Sequence, residues 1–266
     1  MADLSSLEKG LAILREMAGS ERGLTVAELA ATAGLNRTTT YRLCEMLERG
    51  GWVQRVDGEE GATRLDLGPT MHGLTVLVES KYDLEAKLRP IIDGLSRSLD
   101  ETVHVGVLDR AQLVHIAAAL PESGLNMAAR IGSREAAHVA ALGKALLAAT
   151  PPDEVRSLYL DEMLATRTSK TIATRSQLLE ELEATRARGY AVDDEESRMG
   201  VFCIAAPAFG PDGTAIMAIS VTTVPARVAG ERMQQVVGGV QGAASLVTAA
   251  WGGHVPRSWN AAAAAA

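Results

Sequence analysis

The sequence predicts an α+β protein in which a helical N-terminal region is followed by an antiparallel sheet flanked by helices. Three observations support this fold class. Short amphipathic helices with clear capping residues crowd the first 50 residues. From about residue 101, apolar stretches become short and are separated by tight turns, which indicates antiparallel hairpins rather than a doubly wound parallel sheet. Helical segments lie between these strands, as an α+β fold requires.

Composition limits the classes of protein that fit. With 266 residues, 47% hydrophobic and 22% charged, the chain is long enough for one large or two modest globular domains. A net charge of −7 argues against a non-specific nucleic-acid coat or a membrane-surface protein. No signal-peptide pattern and no membrane-length apolar run is present, so we expect a cytoplasmic protein with no membrane partner. Cys44 and Cys203 lack metal or disulfide spacing, and no cofactor is predicted.

The first two helices are predicted by their capping residues. Ser5 with Glu8 forms a capping-box pattern ahead of leucines at helical spacing. Thr25 with Glu28 repeats that pattern for a second helix. We expect the first helix to pack under the second and third.

A helix-turn-helix pattern occupies residues 23–55. Gly34 ends the second helix, and Asn36 is a good N-cap for a third helix from residue 37 to about 49. Two short helices joined by a tight glycine-containing turn are typical of DNA-binding units. At 100° per residue, the packing side of the third helix holds Thr40, Leu43, Cys44 and Leu47. The opposite side holds Arg37, Thr38, Tyr41, Arg42, Glu45 and Arg49.

A hairpin after the third helix is predicted to form a wing. Residues 52–55 alternate as a strand, Asp57-Gly58 turns, and residues 63–65 can pair back, which would place Arg55 or Arg64 against DNA. Residues 1–68 carry eight Lys and Arg against eleven Asp and Glu, so any positive DNA-binding surface must be local. Periodicity alone also fits a small helical bundle with exposed arginines. The predicted contacts to double-stranded operator DNA are Asn36, Arg37, Thr38, Thr39, Tyr41, Arg42 and Arg55.

The remainder of the chain is predicted to form a linker helix and a second domain. Helices are expected at 70–79 and 83–99, and the apolar residues of the first are expected to pack within the chain, with dimer contacts as the alternative. Strands are predicted at 101–109, 112–120, 126–129, 190–194, 201–209 and 215–222. Further helices are predicted at 138–149, after Thr150, at 174–189 and from about 227 to 251. The resulting domain limits are 1–68, 69–82 and 83–255, with a low-complexity tail at 256–266 to which we assign no function.

Seven segments in order resemble the isocitrate-lyase-regulator (IclR) family of bacterial transcription factors, and the match spans nearly the whole chain. The segments are SSLEKGLAIL, GLTVAELAATAGLNRTTTYRLCEMLERGGWVQR, RLDLGP, ETVHVGVLD, RIGSREAAHVAALGKALLA, RGYAVDDEE and GVFCIAAPAFGPDGTAIMAISV. The resemblance implies an N-terminal winged helix-turn-helix domain, a linker helix and a C-terminal GAF/PAS-like effector-binding domain. It also implies a homodimer or homotetramer that usually represses catabolic operons and responds to a small-molecule effector, frequently a carboxylic acid.

Effector contacts carried over from the family fall on Met127, Ala141, Leu142, Asp193, Cys203, Ser220 and Thr222. This set combines an apolar wall with a few polar groups, as small-molecule sites do. Ala141 and Leu142 lie near a predicted helix start, where free N–H groups could hold a carboxylate without a nearby Lys or Arg. Asp193 would then accept a hydrogen bond from another part of the ligand.

Two positions depart from the family pattern. Glu135 stands where relatives often carry an apolar wall residue, and Thr222 stands where a serine is more usual. If Glu135 points inward, it would repel a second carboxylate and favour a mono-acid or a ligand with donor groups. Glu135 facing water is the alternative.

Three other functions remain open from the sequence. Asp193, Cys203 and His104, His115 and His138 could be imagined as a Cys/His/Asp enzyme site, although Cys203 lies in an apolar strand without a sharp nucleophile turn. His104 and His115 could face each other across a hairpin and, with Cys203, hold a metal. Cys203 could also act as a thiol-redox switch if the pKa of its thiol were low.

Overall fold

The computed structural model describes residues 5–20, 22–57, 63–82, 84–124 and 126–259, and the side chains of 78–82, 84 and 85 are outside that description. The chain divides into two compact units, Met1–Leu84 and Glu85–Ala266. Among the described helices, none combines the length and apolar character needed to cross a bilayer.

The N-terminal unit is a winged helix-turn-helix fold, as predicted. Both capping boxes form, since the side chains of Ser5 and Thr25 accept from Glu8 N and Glu28 N. Asn36 caps the third helix by accepting from Thr39 N at 2.8 Å. The elements are α1 (Ser6–Ala18), α2 (Val26–Thr32), α3 (Arg37–Arg49), β1 (Val53–Asp57), β2 (Thr63–Leu67) and α4 (Pro69–Tyr82). The predicted turn at Asp57-Gly58 lies partly outside the described residues.

One apolar core joins the three helices to the wing. Ile13, Met17 and Leu29 are fully buried against Leu43 and Val53. Each such side chain contributes about 1.5–3 kcal/mol by leaving water. Because this core includes residues of both α3 and β1, the same apolar contacts hold the third helix and the wing together.

The linker helix α4 differs from the expectation that its apolar residues pack within the chain. Leu74 is 43% exposed and Leu77 is 66% exposed. The three-helix core is already closed by Leu65 and the inner residues of α1 and α3, and Leu74 and Leu77 do not belong to it.

The C-terminal unit is an antiparallel sheet with helices on both faces. Its helices are α5 (Leu84–Leu99), α6 (Ala141–Ala149), α7 (Pro152–Leu158), α8 (Arg175–Arg188) and α9 (Glu231–Ala250). Its strands are β3 (Thr102–Asp109), β4 (Gln112–Ala119), β5 (Arg134–Ala136), β6 (Ala191–Asp194), β7 (Phe202–Phe209) and β8 (Ala215–Thr223), in the order β5-β4-β3-β8-β7-β6. Ala205 packs with the α6 cluster, whereas Ala206 borders a groove with Ala244 of α9, so α6 and α9 cover opposite faces.

Three sequence predictions in this unit, one strand and two helix starts, are wrong in detail. Residues 126–129 form no strand, because Met127 N and Ala129 N donate to the side chains of Thr102 and His104 instead of to a neighbouring strand. The helix expected from His138 begins at Ala141, after a 3-10 turn at Ala137–Val139.

The C-terminal helix begins later than expected. It starts at Glu231 rather than near Arg227, because a 3-10 turn and Gly230, with φ 54°, precede it. The first part of the C-terminal tail also packs on the fold, since the Trp259 ring meets Phe209 edge-on at 5.8 Å.

Candidate functional sites

The sheet register brings most of the predicted effector residues onto one face. Asp193 pairs with Cys203, and Cys203 pairs with Thr222, so three polar or thiol side chains form one row across β6, β7 and β8. Ser220 pairs with His104 in the adjacent row. The floor of the site is therefore set by strand alternation.

A cavity of 610 Å³ lies over this floor, within the usual size range of small-molecule sites. All seven residues that the family resemblance pointed to line it: Met127, Ala141, Leu142, Asp193, Cys203, Ser220 and Thr222. Its wall also includes His115, Glu135 and Arg167.

The N-terminus of α6 opens into the cavity. Ala140 is the N-cap, and no side chain accepts from the first N–H groups of the helix. The first helical backbone bond is donated by Lys144 N to Ala140 O, which leaves Ala141 N and Leu142 N outside the helical ladder. Free N–H groups and the helix dipole favour an anion at this point.

The proton arrangement on the floor follows from His104. Ala129 N donates to His104 Nε2 at 2.9 Å, so Nε2 is an acceptor and a neutral ring carries its proton on Nδ1. Burial lowers the pKa of His104 to about 4, which keeps the ring neutral. Nδ1 lies 3.1 Å from Thr222 Oγ1 and donates to it. The hydroxyl proton of Thr222 is therefore available for another acceptor, with Cys203 Sγ at 3.4 Å.

The Asp193 carboxylate, which was expected to accept a hydrogen bond from the ligand, already accepts three within the chain. Oδ1 accepts from Glu196 N at 2.7 Å and Ser197 N at 3.2 Å, and Oδ2 accepts from Ser197 Oγ at 2.5 Å. Burial raises the pKa of Asp193, and the Ser197 and Glu196 bonds partly offset that increase. The carboxylate closes the turn after β6, which carries Ser197 and Arg198 to the cavity wall.

Glu135 faces the cavity, which answers the question left open by the sequence. Its Oε1 lies 3.0 Å from His115 Nε2, and its Oε2 lies 3.7 Å from Arg167 NH1. One side of the wall therefore presents a carboxylate that a second ligand carboxylate would have to approach.

The exposed side of α3 presents most of the predicted DNA contacts. Arg37, Thr38, Tyr41 and Arg42 are exposed, whereas Thr40 and Leu43 are buried on the inner side. Neither Arg37 nor Arg42 has an ion-pair partner in the described part of the chain. Thr39 is half-buried, and its N–H is taken by the Asn36 cap. Arg55 is exposed but forms a bidentate ion pair with Glu48.

Family models match both parts of the chain. The model described as the IclR helix-turn-helix domain matches residues 6–57, and the model described as bacterial transcriptional regulator IclR, C-terminal, matches residues 76–249. The chain belongs to the IclR family. It is a DNA-binding transcriptional regulator, and members of this family are regulators rather than enzymes.

Relatives of known identity agree with this assignment to the IclR family. The chain is 33% identical to transcriptional repressor IclR of Escherichia coli over 94% of this chain and 91% of that protein. It is 31% identical to the acetate operon repressor of Salmonella typhimurium over 94% of this chain and 91% of that protein. The crystal structure of Thermotoga maritima IclR superposes with a TM-score of 0.71 at 25% identity, covering 93% of this chain and 98% of that one.

Two alternatives to a metabolite-responsive IclR-family regulator find no support in the geometry. Both ring nitrogens of His104 are occupied by Ala129 N and Thr222 Oγ1, and no cluster of three or more His, Cys, Asp or Glu suited to a metal occurs among the described residues. Burial raises the pKa of the Cys203 thiol, which disfavours the thiolate that a redox switch would need.

Sequence reasoning missed two arginines at the cavity and a buried ion pair that involves α6. Arg167 and Arg198, both exposed, border it, although a carboxylate had been expected to bind without a nearby Lys or Arg. Lys144, one turn into α6, is 1% exposed and forms a buried ion pair with Glu196. The unusual lysine in the alanine-rich segment 141–149 was the one signal available in the sequence, because a lysine there is buried only if it is paired.

Proposed function

We propose that this IclR-family regulator represses a catabolic operon and that a small carboxylic acid bound in the C-terminal cavity controls its affinity for operator DNA. The observation that carries this proposal is the convergence of Ala141, Leu142, Ser220 and Thr222 on one 610 Å³ cavity at an uncapped helix N-terminus. Relatives described as a transcriptional repressor and an acetate operon repressor support repression as the sign of control.

The cavity offers donors for one carboxylate. Ala141 N and Leu142 N are free of the helical ladder, and the Thr222 hydroxyl proton is available. The Ser220 hydroxyl has no hydrogen-bond partner among the described residues. Arg167, which is paired with Glu135, and Arg198 add positive charge to the cavity wall. We propose that the effector's carboxylate meets these donors while its apolar part contacts Met127, Leu142 and Cys203.

Glu135 narrows the class of effector. A buried or half-buried carboxylate disfavours a second like charge nearby. A mono-acid, or an acid with a hydroxyl or amine that donates to Glu135, therefore fits this wall better than a dicarboxylate. Asp193 supports the wall by holding the turn that carries Ser197.

On the DNA side, we propose that α3 reads the operator. Arg37, Thr38 and Tyr41 lie at or near the N-terminal end of α3, where a recognition helix meets base edges, and Asn36 and Thr39 form its cap. Arg42 is one turn further along and suits a phosphate contact.

We propose a homodimer or homotetramer in which α4 links the DNA-binding N-terminal unit to the effector-binding C-terminal unit. A dimer places two recognition helices on half-sites about 34–36 Å apart, one DNA turn. The exposed Leu74 and Leu77 of α4 support a role for that helix in contacts outside the chain. A ligand that changes the spacing of the two recognition helices would lower or raise operator affinity.

Variants of α3 separate base recognition from phosphate contact. We expect Arg37→Ala to cost on the order of 1–3 kcal/mol at the operator and to relax specificity, whereas Arg42→Ala weakens binding to all sequences about equally. Fluorescence anisotropy on duplexes tiling the region upstream of the gene, with a scrambled duplex at fixed salt, measures both. Equal losses on operator and scrambled DNA for both variants would remove the proposed division of roles.

A further inference from the structure

The wing of this chain has few cations to offer DNA. Between residues 52 and 67, the only lysines or arginines are Arg55 and Arg64. The stretch that joins the two strands, 58–62, is Gly-Glu-Glu-Gly-Ala and carries two acids and no base. Positive charge supplies most of the affinity for the phosphate backbone, so these two arginines are the charged groups with which the wing could hold DNA.

The Arg55 side chain forms an ion pair with α3, the proposed recognition helix. Its Nε donates to Glu48 Oε1 at 2.8 Å, and its NH2 donates to Glu48 Oε2 at 3.0 Å, a bidentate pair. The hairpin register pairs Arg55 with the buried Leu65, so both side chains lie on the face of the wing that packs against the helices. The strand phase, and not only a side-chain rotamer, therefore directs Arg55 towards α3.

The guanidinium of Arg64, on the second strand, also forms hydrogen bonds within the protein. Its NH1 donates to Gly23 O at 3.0 Å and lies 3.3 Å from Glu28 Oε2. Each strand of the wing is therefore joined to a helix of the N-terminal unit by an ion pair. Arg37 and Arg42 of α3, by contrast, are exposed with no ion-pair partner among the described residues.

We propose that Glu48 and Arg55 are a positioning pair, so that the wing of this protein braces the recognition helix and does not grip DNA. The arginines of α3, and not those of the wing, then supply the charged contacts to phosphate. The pair acts by fixing the angle between α3 and the wing. It therefore affects the affinity for the cognate sequence and leaves the number of phosphate contacts unchanged.

The test uses the full-length chain and a duplex that the wild-type chain selects from a random pool. Glu48→Gln, Arg55→Met, Arg55→Lys and the Glu48→Gln/Arg55→Met double variant are compared by anisotropy over a range of salt concentrations, with a scrambled duplex alongside. Glu45→Gln is the charge control, because Glu45 is an exposed acid on the same helix. The thermal unfolding midpoint of each variant identifies any that fail to fold.

We expect Glu48→Gln, Arg55→Met and Arg55→Lys each to weaken the selected duplex about 2- to 5-fold, the range of an exposed ion pair. The double variant should be no weaker than either single variant, because both remove the same interaction. Binding of Glu48→Gln to the scrambled duplex should change no more than that of Glu45→Gln, and the slope of log K against log salt should match the wild type. A variant that simply unfolded would lose both duplexes, and Arg55→Lys keeps the charge if Arg55→Met does not fold.

Two results would overturn the proposal. If Arg55 holds a phosphate, Arg55→Met lowers the salt slope by about one, and Glu48→Gln tightens binding more than Glu45→Gln by releasing the arginine. If neither Glu48→Gln nor Arg55→Met changes affinity for the selected duplex, the pair has no positioning role.

Discussion

At the scale of single residues, His104 controls the chemistry of the cavity floor. Its two ring nitrogens are fixed by a backbone donor and by Thr222, and the ring is only 4% exposed. A charged ring would need a donor role at Nε2, where Ala129 N already donates. The neutral tautomer is therefore required by the fold, and it in turn determines that the Thr222 hydroxyl can donate to a ligand.

This arrangement makes stability depend on pH. Because the folded-state pKa of His104, about 4, is below the ordinary value of 6.5, the unfolded chain binds more protons between those values. The contribution of His104 is complete above about pH 6.5 and is lost as pH falls towards 4. We expect it to decrease by about 2 kcal/mol between pH 7 and pH 5. Urea unfolding at several pH values measures the change.

His104→Asn is the control for this dependence, since asparagine offers a donor and an acceptor without titrating. The difference between wild type and variant should vary with pH only in the window from about 4 to 6.5. Parallel stability curves across that window would show that His104 is not held neutral in the folded state.

At the scale of elements, the start of α6 is determined by one close backbone contact. A Cβ on Gly143 would lie 2.1 Å from Ala137 O, so only glycine lets the 3-10 turn at Ala137–Val139 pack on the first turn of the helix. That packing moves the helix start from the predicted His138 to Ala141 and directs its free N–H groups into the cavity.

Gly143→Ala is therefore expected to destabilise the C-terminal unit by about 1–3 kcal/mol through overpacking, despite the better helix propensity of alanine. Gly238→Ala is the matched control, because Gly238 lies on α9 with nothing within 4 Å of an added Cβ. The control should gain about 0.5–1 kcal/mol. Chemical denaturation compares the two variants, and equal effects would mean that the contact with Ala137 is not tight.

The sequence predicted those elements whose signals are local. Capping residues such as Ser5, Thr25 and Asn36 predicted helix starts within one residue, whereas the cavity residues Cys203 and Thr222 were indicated by the resemblance to the IclR family. The predicted strand at 126–129 was wrong because its N–H groups bond to Thr102 and His104, a choice that depends on contacts distant in sequence. The lysine in the apolar segment 141–149 indicates a buried pair, but its partner Glu196 is far along the chain, so no local pattern identifies that partner.

At the scale of the whole molecule, function requires that two units influence each other. In the N-terminal unit, Arg37 and Arg42 lie on an exposed face of α3. In the C-terminal unit, a cavity that could accept a carboxylate lies at the start of α6. Linkage requires that an effector which changes operator affinity is itself bound with an affinity that operator DNA changes by the same factor. Regulation is therefore measurable from either side.

The measurement that tests this account most directly is a carboxylic-acid panel applied to the complex of protein and operator, with thermal unfolding of the free protein measured on the same panel. We expect at least one mono-acid to raise the unfolding midpoint and to change the operator Kd about 5- to 150-fold, the usual range of allosteric coupling. Thr222→Val should lose both responses while keeping wild-type operator affinity without effector. An acid that raises the midpoint without altering operator binding, or one whose effect survives in Thr222→Val, would contradict control through this cavity.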